Sequence, residues 1–346
     1  MRFAQSCPAE PTVSPNTTLF VLTIDTEEEW HWDGPFPQHN CQVENIQRIP
    51  EFQQFCENLG IRPTYFVDYA VADNQHAVEA IQQARQHNQC EIGAHLHPWC
   101  NPPYFGKTGE AESHVVNLPP EQIEAKLDAL IELIVKRFNT QPRSFRTGRW
   151  GIDSKVLKLL ADRGFRVDSS VYPYYRNEFF TCEGSPLTPY WPDFDDPLTA
   201  GNQRQIMELP VTAGFNRQNY ETVDKIHRLG ESAPLKMLHT IGLMWHTRIL
   251  RKLYLSPELN DSENLCLLVD SALGRGHNVI HMYLHSSSLI DGVTGLFDEK
   301  NSLEVICQRI KTTVEHLKKS GPVQFCTITE ACEILNVRNP EEAVLL

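Results

Sequence analysis

Carboxylate and imidazole side chains recur in this sequence at points where a predicted β-strand ends. Asp25 follows the apolar run LFVLTI, and His95 follows CEIGA. The same position, at or just past a strand end, is predicted for six residues: Asp25, His95, Arg146, Asp168, Glu208 and His285. In (β/α) barrels the carboxyl ends of the strands carry the active site. The pattern therefore predicts an enzyme.

The segment TIDTEEEW places two carboxylates on one face of the chain. Asp25 and Glu27 are two residues apart, so in extended backbone both side chains project to the same side. A general base and a metal ligand could share that face. Glu27 could instead belong to a solvated acidic run, and we expect this of Glu28.

The segment EIGAHLHPWC repeats that two-residue spacing with histidines. His95 and His97 can reach one point, as ligands of a divalent metal must. One of the two could be a core histidine bonded to backbone, and we favour His97 as the functional residue. We expect Cys100 to be an ordinary packed thiol.

A second histidine pair lies in a later strand, in HMYLH. His285 at the strand end has the pKa to donate a proton to a leaving amine near neutral pH. His281, four residues earlier, should lie deeper in the barrel with a structural role.

Strands and helices alternate along most of the chain. Strands are predicted at 19–24, 63–67, 90–94, 144–147, 165–168, 206–211, 279–284 and 323–327. Helices are predicted at 43–59, 75–86, from Asn117 to Asn139, and at 153–163, 263–274, 302–320 and from Glu330. This alternation predicts an α/β fold with a parallel sheet and right-handed crossovers, a distorted (β/α) barrel of about seven strands.

The alternation of predicted strands and helices is interrupted between about Asn216 and Asn260. An amphipathic pattern that runs from Leu235 to Leu253 predicts an inserted helical subdomain, packed on the barrel or a partner subunit rather than on a membrane surface. We expect a barrel over residues 18–336, a disordered or loosely attached tail over 1–17 and a C-terminal tail over 337–346.

Composition narrows the class of protein. Hydrophobic residues make up 41% and charged residues 22%, as in globular proteins. The formal charge of −13 argues against nucleic acid as a partner. The ten cysteines include no CxxC pair. Neither a secretory signal nor a membrane span is predicted, so we expect a cytoplasmic protein.

Five segments together resemble a known family. TIDTE, EIGAHLHPW, FRTGRWG, RVDSSV and MYLH occur in the order and spacing of the motifs of polysaccharide deacetylases with the NodB-homology domain, over roughly residues 19–335. The resemblance implies a deformed (β/α) barrel. It also implies a divalent metal, usually zinc, that activates water to hydrolyse an N-acetyl group on a sugar.

The same resemblance implies roles for individual residues. Asp25 matches the catalytic base, Arg146 the arginine that orients it, and His285 the acid. His95 matches the first metal histidine. Three further matches are looser: Asp168 belongs to the fourth motif, Trp150 lies near the pocket aromatic, and Glu27 or Thr26 falls where the metal-binding carboxylate is expected.

Departures from the family pattern fall on the metal site. The usual Asp-Asp pair is Asp25-Thr26, and Trp99 occupies the position of the second metal histidine. Glu27 and His97 must then replace these ligands. Arg149 is an extra residue in the third motif.

We therefore expect a hydrolase in which Zn²⁺ is held by Glu27, His95 and His97. The expected substrate is an amino sugar or a polysaccharide precursor, and a homo-oligomer is allowed. Four residues are predicted to bind substrate: Trp30, Trp99, Trp150 and Glu208. Two alternatives stay open, a metal-independent C–N hydrolase on the same fold and a catalytically silent carbohydrate-binding protein.

Overall fold

Eight parallel strands form the central sheet in the computed structural model, which describes residues 17–32, 34–231, 242, 244–245, 247–293, 295, 297 and 299–338. In chain order the strands are β1 (Thr18–Thr26), β2 (Thr64–Val67), β3 (Glu91–Leu96), β4 (Ser144–Thr147), β5 (Val167–Asp168), β6 (Met207–Glu208), β7 (Ala213–Phe215), β8 (Lys252–Tyr254), β9 (Val279–His285) and β10 (Val323–Phe325). The order across the sheet is β10-β1-β2-β3-β4-β5-β6, and β9 pairs with β1. β7 and β8 form a separate antiparallel pair.

The long first strand lies inside the sheet, with β2 on one side and β9 on the other. β1 pairs with β9 from Leu19 to Asp25, and with β2 from Thr23 to Thr26. The segment after β6 then returns to β9. The backbone N–H of Thr212 donates to the His281 carbonyl at 3.0 Å, and the N–H of His281 donates to Thr212 Oγ1 at 2.8 Å. These contacts confirm the distorted (β/α) barrel.

Helices cover the outer surface of the sheet. They are α1 (Ile49–Leu59), α2 (Tyr69–Asp73), α3 (Gln75–Ala84), α4 (Pro120–Phe138), α5 (Ser154–Asp162), α6 (Tyr220–Glu231), α7 (Ser262–Gly274), α8 (Ser302–Ser320) and α9 (Ile328–Arg338). α1 begins later than predicted, because residues 44–48 form a 3-10 turn and Pro50 lies in the first turn of the helix. Gly60, at φ 79°, ends α1 as expected.

Apolar side chains of the strands and helices make one large core. Every residue of β1 after Thr18 is buried, as the continuous apolar run predicts for a strand covered on both faces. No helix within the described ranges is long and apolar enough to cross a membrane.

The inserted segment is only partly helical where it is described. α6 is a helix, but Leu253, predicted as part of an amphipathic helix, lies in β8 opposite Gly214. The backbone N–H of Tyr283 in β9 also donates to the Leu255 carbonyl, so this stretch is extended against the barrel. Residues 232–241, 243 and 246, and both predicted tails apart from Thr17, Val337 and Arg338, lie outside the described residues.

Candidate active site

The register of the parallel strands aligns the predicted site residues at one edge of the barrel. Asp25 on β1 is directly opposite His285 on β9, and His95 on β3 is opposite Arg146 on β4. Parallel strands present their carboxyl ends on the same side, so these four residues and the segment after β1 meet there.

Glu27 joins two histidines at this edge. Glu27 Oε2 lies 3.3 Å from His95 Nε2 and 3.3 Å from His97 Nε2. All three side chains are buried. The side chain of Thr26, in contrast, donates to the carbonyl of Ile24 on its own strand at 3.0 Å. Glu27 therefore supplies the oxygen that contacts both histidines, while the Thr26 hydroxyl is bound to its own strand.

The Nδ1 atoms of both histidines face oxygen atoms that can only accept hydrogen bonds. His95 Nδ1 lies 3.0 Å from the Arg146 carbonyl, and His97 Nδ1 lies 2.9 Å from Glu28 Oε2. Each Nδ1 therefore donates, which directs Nε2 of both rings towards Glu27.

The buried Glu27 and Glu28 carboxylates favour positive charge on the groups beside them. Burial raises the pKa of Glu27, but His285, His95 and His97 hold it well below its usual range, so Glu27 is a carboxylate. Burial opposes a charge on His97, yet Glu28 and Glu27 raise its pKa well above the ordinary value. Glu27, His95 and His97 could together hold a metal ion, and two imidazoles with one carboxylate form a donor set suited to zinc.

Glu28 was predicted to be a solvated residue, and that prediction is wrong. Its side chain is fully buried and accepts from Trp99 Nε1 at 2.6 Å as well as from His97. Trp99 itself stacks on His97, with ring centroids 4.2 Å apart. Trp99 is fully buried, so it supports His97 from behind rather than offering an exposed face to a sugar.

A second group of ligand atoms lies behind the first. Glu28, Asp68, His97 and Cys100 place one donor atom each within 4.8 Å of one another. Burial and the neighbouring Glu28 carboxylate raise the pKa of Asp68 well above its usual range, which favours the protonated form of Asp68. Asp68 also caps α2 through the Val71 N–H at 2.8 Å. These contacts explain how a buried glutamate is kept in place beside His97.

Asp25 is held by Arg146 at the centre of the barrel. Arg146 Nη1 donates to Asp25 Oδ1 at 2.6 Å, while Nη2 donates to Thr23 Oγ1 at 2.9 Å. The guanidinium carbon lies 4.6 Å from the ring centre of Phe66 and 4.8 Å from that of Trp150. Sandwiched and fully hydrogen-bonded, Arg146 fixes the Asp25 carboxylate in one orientation.

His285 is bound on its far side by Glu258. Its Nδ1 lies 3.0 Å from Glu258 Oε2, and its Nε2 lies 3.7 Å from Asp25 Oδ2. Burial alone lowers the pKa of His285, but Glu258, Glu27 and Asp25 raise it to about 10. His285 is therefore an imidazolium at neutral pH, with one N–H directed towards Asp25.

A deep histidine of the same strand is structural, as expected. His281 Nδ1 donates to the Pro210 carbonyl at 3.1 Å, and Nε2 accepts from Thr23 Oγ1 at 2.9 Å. Burial and the neighbouring Arg146 hold its pKa well below the usual value.

A narrow cleft opens onto these groups. Its lining residues are Asp25, Glu27, Trp30, Trp32, His95, His97, Trp99, Thr147, Arg149, Trp150 and His285. Trp32 packs edge-on against His285, with centroids 5.4 Å apart. Trp30 and Trp150 are more than nine-tenths buried.

The segment after β4 forms the wall nearest the histidines. A Cβ on Gly148 would collide with His97 Cδ2 and lie 2.7 Å from the Leu96 carbonyl, so only glycine allows this approach. Arg149 and Trp150 follow with φ angles of 64° and 65°. Thr147 Oγ1 donates to the Gly151 carbonyl at 2.8 Å and closes the turn.

Asp168 and Glu208 do not reach the lining of the cleft. They pair with each other across β5 and β6, and both are fully buried. Asp168 accepts from Ser170 Oγ at 2.7 Å, and Glu208 accepts from the Val171 N–H at 3.1 Å. Their position at the strand ends led to the predicted catalytic and substrate-binding roles, but both carboxyl groups are used to hold the segment after β5.

Comparisons with known proteins support the architecture. Neither a family model nor a curated protein matches the sequence. A Mycobacterium smegmatis structure, provisionally named a polysaccharide deacetylase, superposes with a TM-score of 0.55 at 14% identity, covering 97% of this chain and 96% of that one. A Parabacteroides distasonis structure, provisionally named a glycoside hydrolase/deacetylase, gives a TM-score of 0.60 at 14% identity, covering 95% and 73%. The chain has the polysaccharide deacetylase fold.

Three residues that contact the site histidines or their partners were not predicted from the sequence. Glu258 precedes His285 by 27 residues, in the stretch that follows β8, and no local pattern marks it. Asp68 could have been recognised as a strand-end residue after β2, the same signal that identified Asp25. The role of Glu28 was not recognised because Glu28 stands in a run of acidic residues.

Proposed function

We propose that this protein is a metal-dependent hydrolase that removes an N-acetyl or similar acyl group from an amino sugar or polysaccharide precursor. One observation carries the proposal. Glu27 Oε2 lies 3.3 Å from both His95 Nε2 and His97 Nε2, beside the Asp25–Arg146 pair and His285. The fold supports this function, since two solved structures that share it carry deacetylase names.

Glu27, His95 and His97 would hold the metal, with Zn²⁺ as the proposed ion. When bound, a divalent metal lowers the pKa of a coordinated water and polarises the acyl carbonyl. Glu28 and the Arg146 carbonyl orient the two imidazoles for that role, since each accepts the N–H of one ring.

Asp25 is the proposed general base. Its Oδ1 is fixed by Arg146, which leaves Oδ2 directed towards the cleft and His285. Asp25 would take a proton from the attacking water as the new C–O bond forms at the acyl carbon.

His285 is the proposed general acid. Because its pKa is raised to about 10, it carries the proton that the departing nitrogen needs when the C–N bond breaks. The products are then a free carboxylate and an amine. Trp30, Trp32 and Trp150 would bound the sugar ring.

Acetate release from N-acetylglucosamine and its oligomers tests this function. The purified chain is treated with a chelator, reloaded with Zn²⁺, Co²⁺ or Mn²⁺, and compared with Asp25→Asn. We expect about one metal ion per chain, activity that returns with metal, and a loss of about 10²–10⁴-fold in Asp25→Asn. Full activity in chelated, metal-free protein would favour the metal-independent hydrolase. Sugar binding without turnover would favour the silent carbohydrate-binding protein.

A further inference from the structure

Arg149 provides a positive charge at the mouth of the cleft. Its Nη1 donates to Ser113 Oγ at 2.6 Å, and its Nη2 lies 2.7 Å from Glu110 Oε1. The guanidinium carbon is 5.3 Å from the ring centre of Trp30 and 5.4 Å from that of Phe36. A flat cation is thus held against two aromatic rings, of which Trp30 lines the cleft.

The backbone conformation at Arg149 is energetically unfavourable. Arg149 and Trp150 both adopt left-handed φ angles, which bulky residues rarely do. The N–H of Gly151 donates to the Ser170 carbonyl at 2.9 Å and helps to hold the turn. As a result the Arg149 side chain lines the cleft, and only 17% of it is exposed.

The contact with Glu110 shows that the Arg149 guanidinium binds a carboxylate. Its carboxylate pairs with the guanidinium although 54% of the Glu110 side chain is exposed. An ion pair with one solvent-exposed partner adds little stability, so another carboxylate can replace Glu110 at small cost. The position of Oε1 marks where that carboxylate would bind.

Charged groups of both signs line the rest of the cleft. Asp25 and Glu27 are acidic, His285 is an imidazolium, and the chain carries a formal charge of −13. Of the lining residues, Arg149 is the one that carries a permanent positive charge. An acidic substrate could pair with this guanidinium while His285 stays free for its proposed role as the acid.

We propose that Arg149 selects acylated amino sugars that carry a carboxylate, which displaces Glu110 from the guanidinium. This inference rests on the proposed function and names the substrate class of the same site. A carboxylate bound through two N–H groups of one guanidinium gains a directional, charge-assisted contact that a neutral sugar cannot make.

Matched pairs of substrates test the proposal. N-acetylglucosaminuronic acid and N-acetylmuramic acid place the carboxylate at two different positions, and each is compared with its own methyl ester in the metal-loaded protein. We expect kcat/KM to favour at least one acid over its ester by about tenfold. Arg149→Gln should abolish that ratio, and Arg149→Lys should keep part of it. Arg163→Gln, which removes a comparably shielded ion-paired arginine of α5's C-terminal end, should leave the ratio unchanged.

Two results would overturn the proposal: equal kcat/KM for acid and ester in both pairs, or an Arg149→Gln variant that lowers both by the same factor, as a purely structural arginine would. If acetate is released from none of the compounds, the proposed hydrolysis is rejected instead. Calorimetric binding of acid and ester then decides the role of Arg149, since acid-selective binding that Arg149→Gln removes supports it and unselective or absent binding rejects it.

Discussion

Glu28 Oε2 lies 2.9 Å from His97 Nδ1, on the opposite side of the ring from Glu27. Consecutive glutamates thus contact the two nitrogens of one imidazole. Both glutamates follow directly after β1, which ends at Thr26, and consecutive side chains of extended backbone project to opposite sides. One carboxylate faces the cleft, and the other is buried behind the histidine with Trp99 as a second donor.

We expect Glu28→Gln to weaken metal binding by about 10–100-fold, because the neutral amide binds the His97 N–H less strongly and lowers the basicity of Nε2. Competition with a chromophoric chelator measures this affinity. Glu132→Gln, at an exposed site on α4, is the matched control. An unchanged affinity in Glu28→Gln would show that Glu28 does not support a metal ligand.

Gly148→Ala should displace the His97 ring, because the new methyl group would collide with His97 Cδ2 and lie 2.7 Å from the Leu96 carbonyl. We expect reduced metal affinity and a loss of about 1–3 kcal/mol in the free energy of unfolding. Chelator competition and urea denaturation measure the two effects. The control is Gly274→Ala in α7, where the nearest atom is the flexible end of Gln218 at 3.3 Å. Wild-type values in both measurements would contradict this account of Gly148.

The sequence predicted the barrel and its central residues because both depend on local signals. An apolar run that ends in Asp25, and histidines at alternate positions in β3, determine which side chains reach the carboxyl edge. The HxH spacing brought His95 and His97 to one carboxylate, as expected.

The partners of those residues could not be predicted in the same way. Glu258 reaches His285 from the stretch after β8, and Asp68 reaches Glu28 from the end of β2. Such contacts depend on how distant segments pack. Position at a strand end does not by itself bring a side chain to the cleft, since Asp168 and Glu208 satisfy that rule but do not line it, and they accept from Ser170 Oγ and the Val171 N–H.

Glu258→Gln should change the pH dependence of catalysis. Burial lowers the pKa of His285, and Glu258 is the strongest of the groups that raise it to about 10. An acid must be protonated to act, so activity falls as pH rises through that pKa. Without the Glu258 charge the pKa falls, and we expect the alkaline limb of kcat/KM to move down by about one pH unit or more. Glu263→Gln, an exposed site paired with Arg248, should keep the wild-type profile. If wild type and Glu258→Gln show the same pH dependence of kcat/KM, His285 is not the general acid.

Glu208→Gln should make the protein less sensitive to alkaline pH. Burial and Asp168 raise the pKa of Glu208 well above 4.5, so the folded protein keeps a proton that the unfolded chain releases at neutral pH. Stability from this group is complete below the unfolded pKa and is lost as pH rises towards the folded pKa, by about 1.36 kcal/mol per pH unit. The amide of a glutamine at this position does not titrate. Urea denaturation from pH 5 to pH 8 should therefore show a shallower decline in the variant than in wild type or in Glu132→Gln. Parallel declines in all three proteins would mean that Glu208 is already a carboxylate in the folded state.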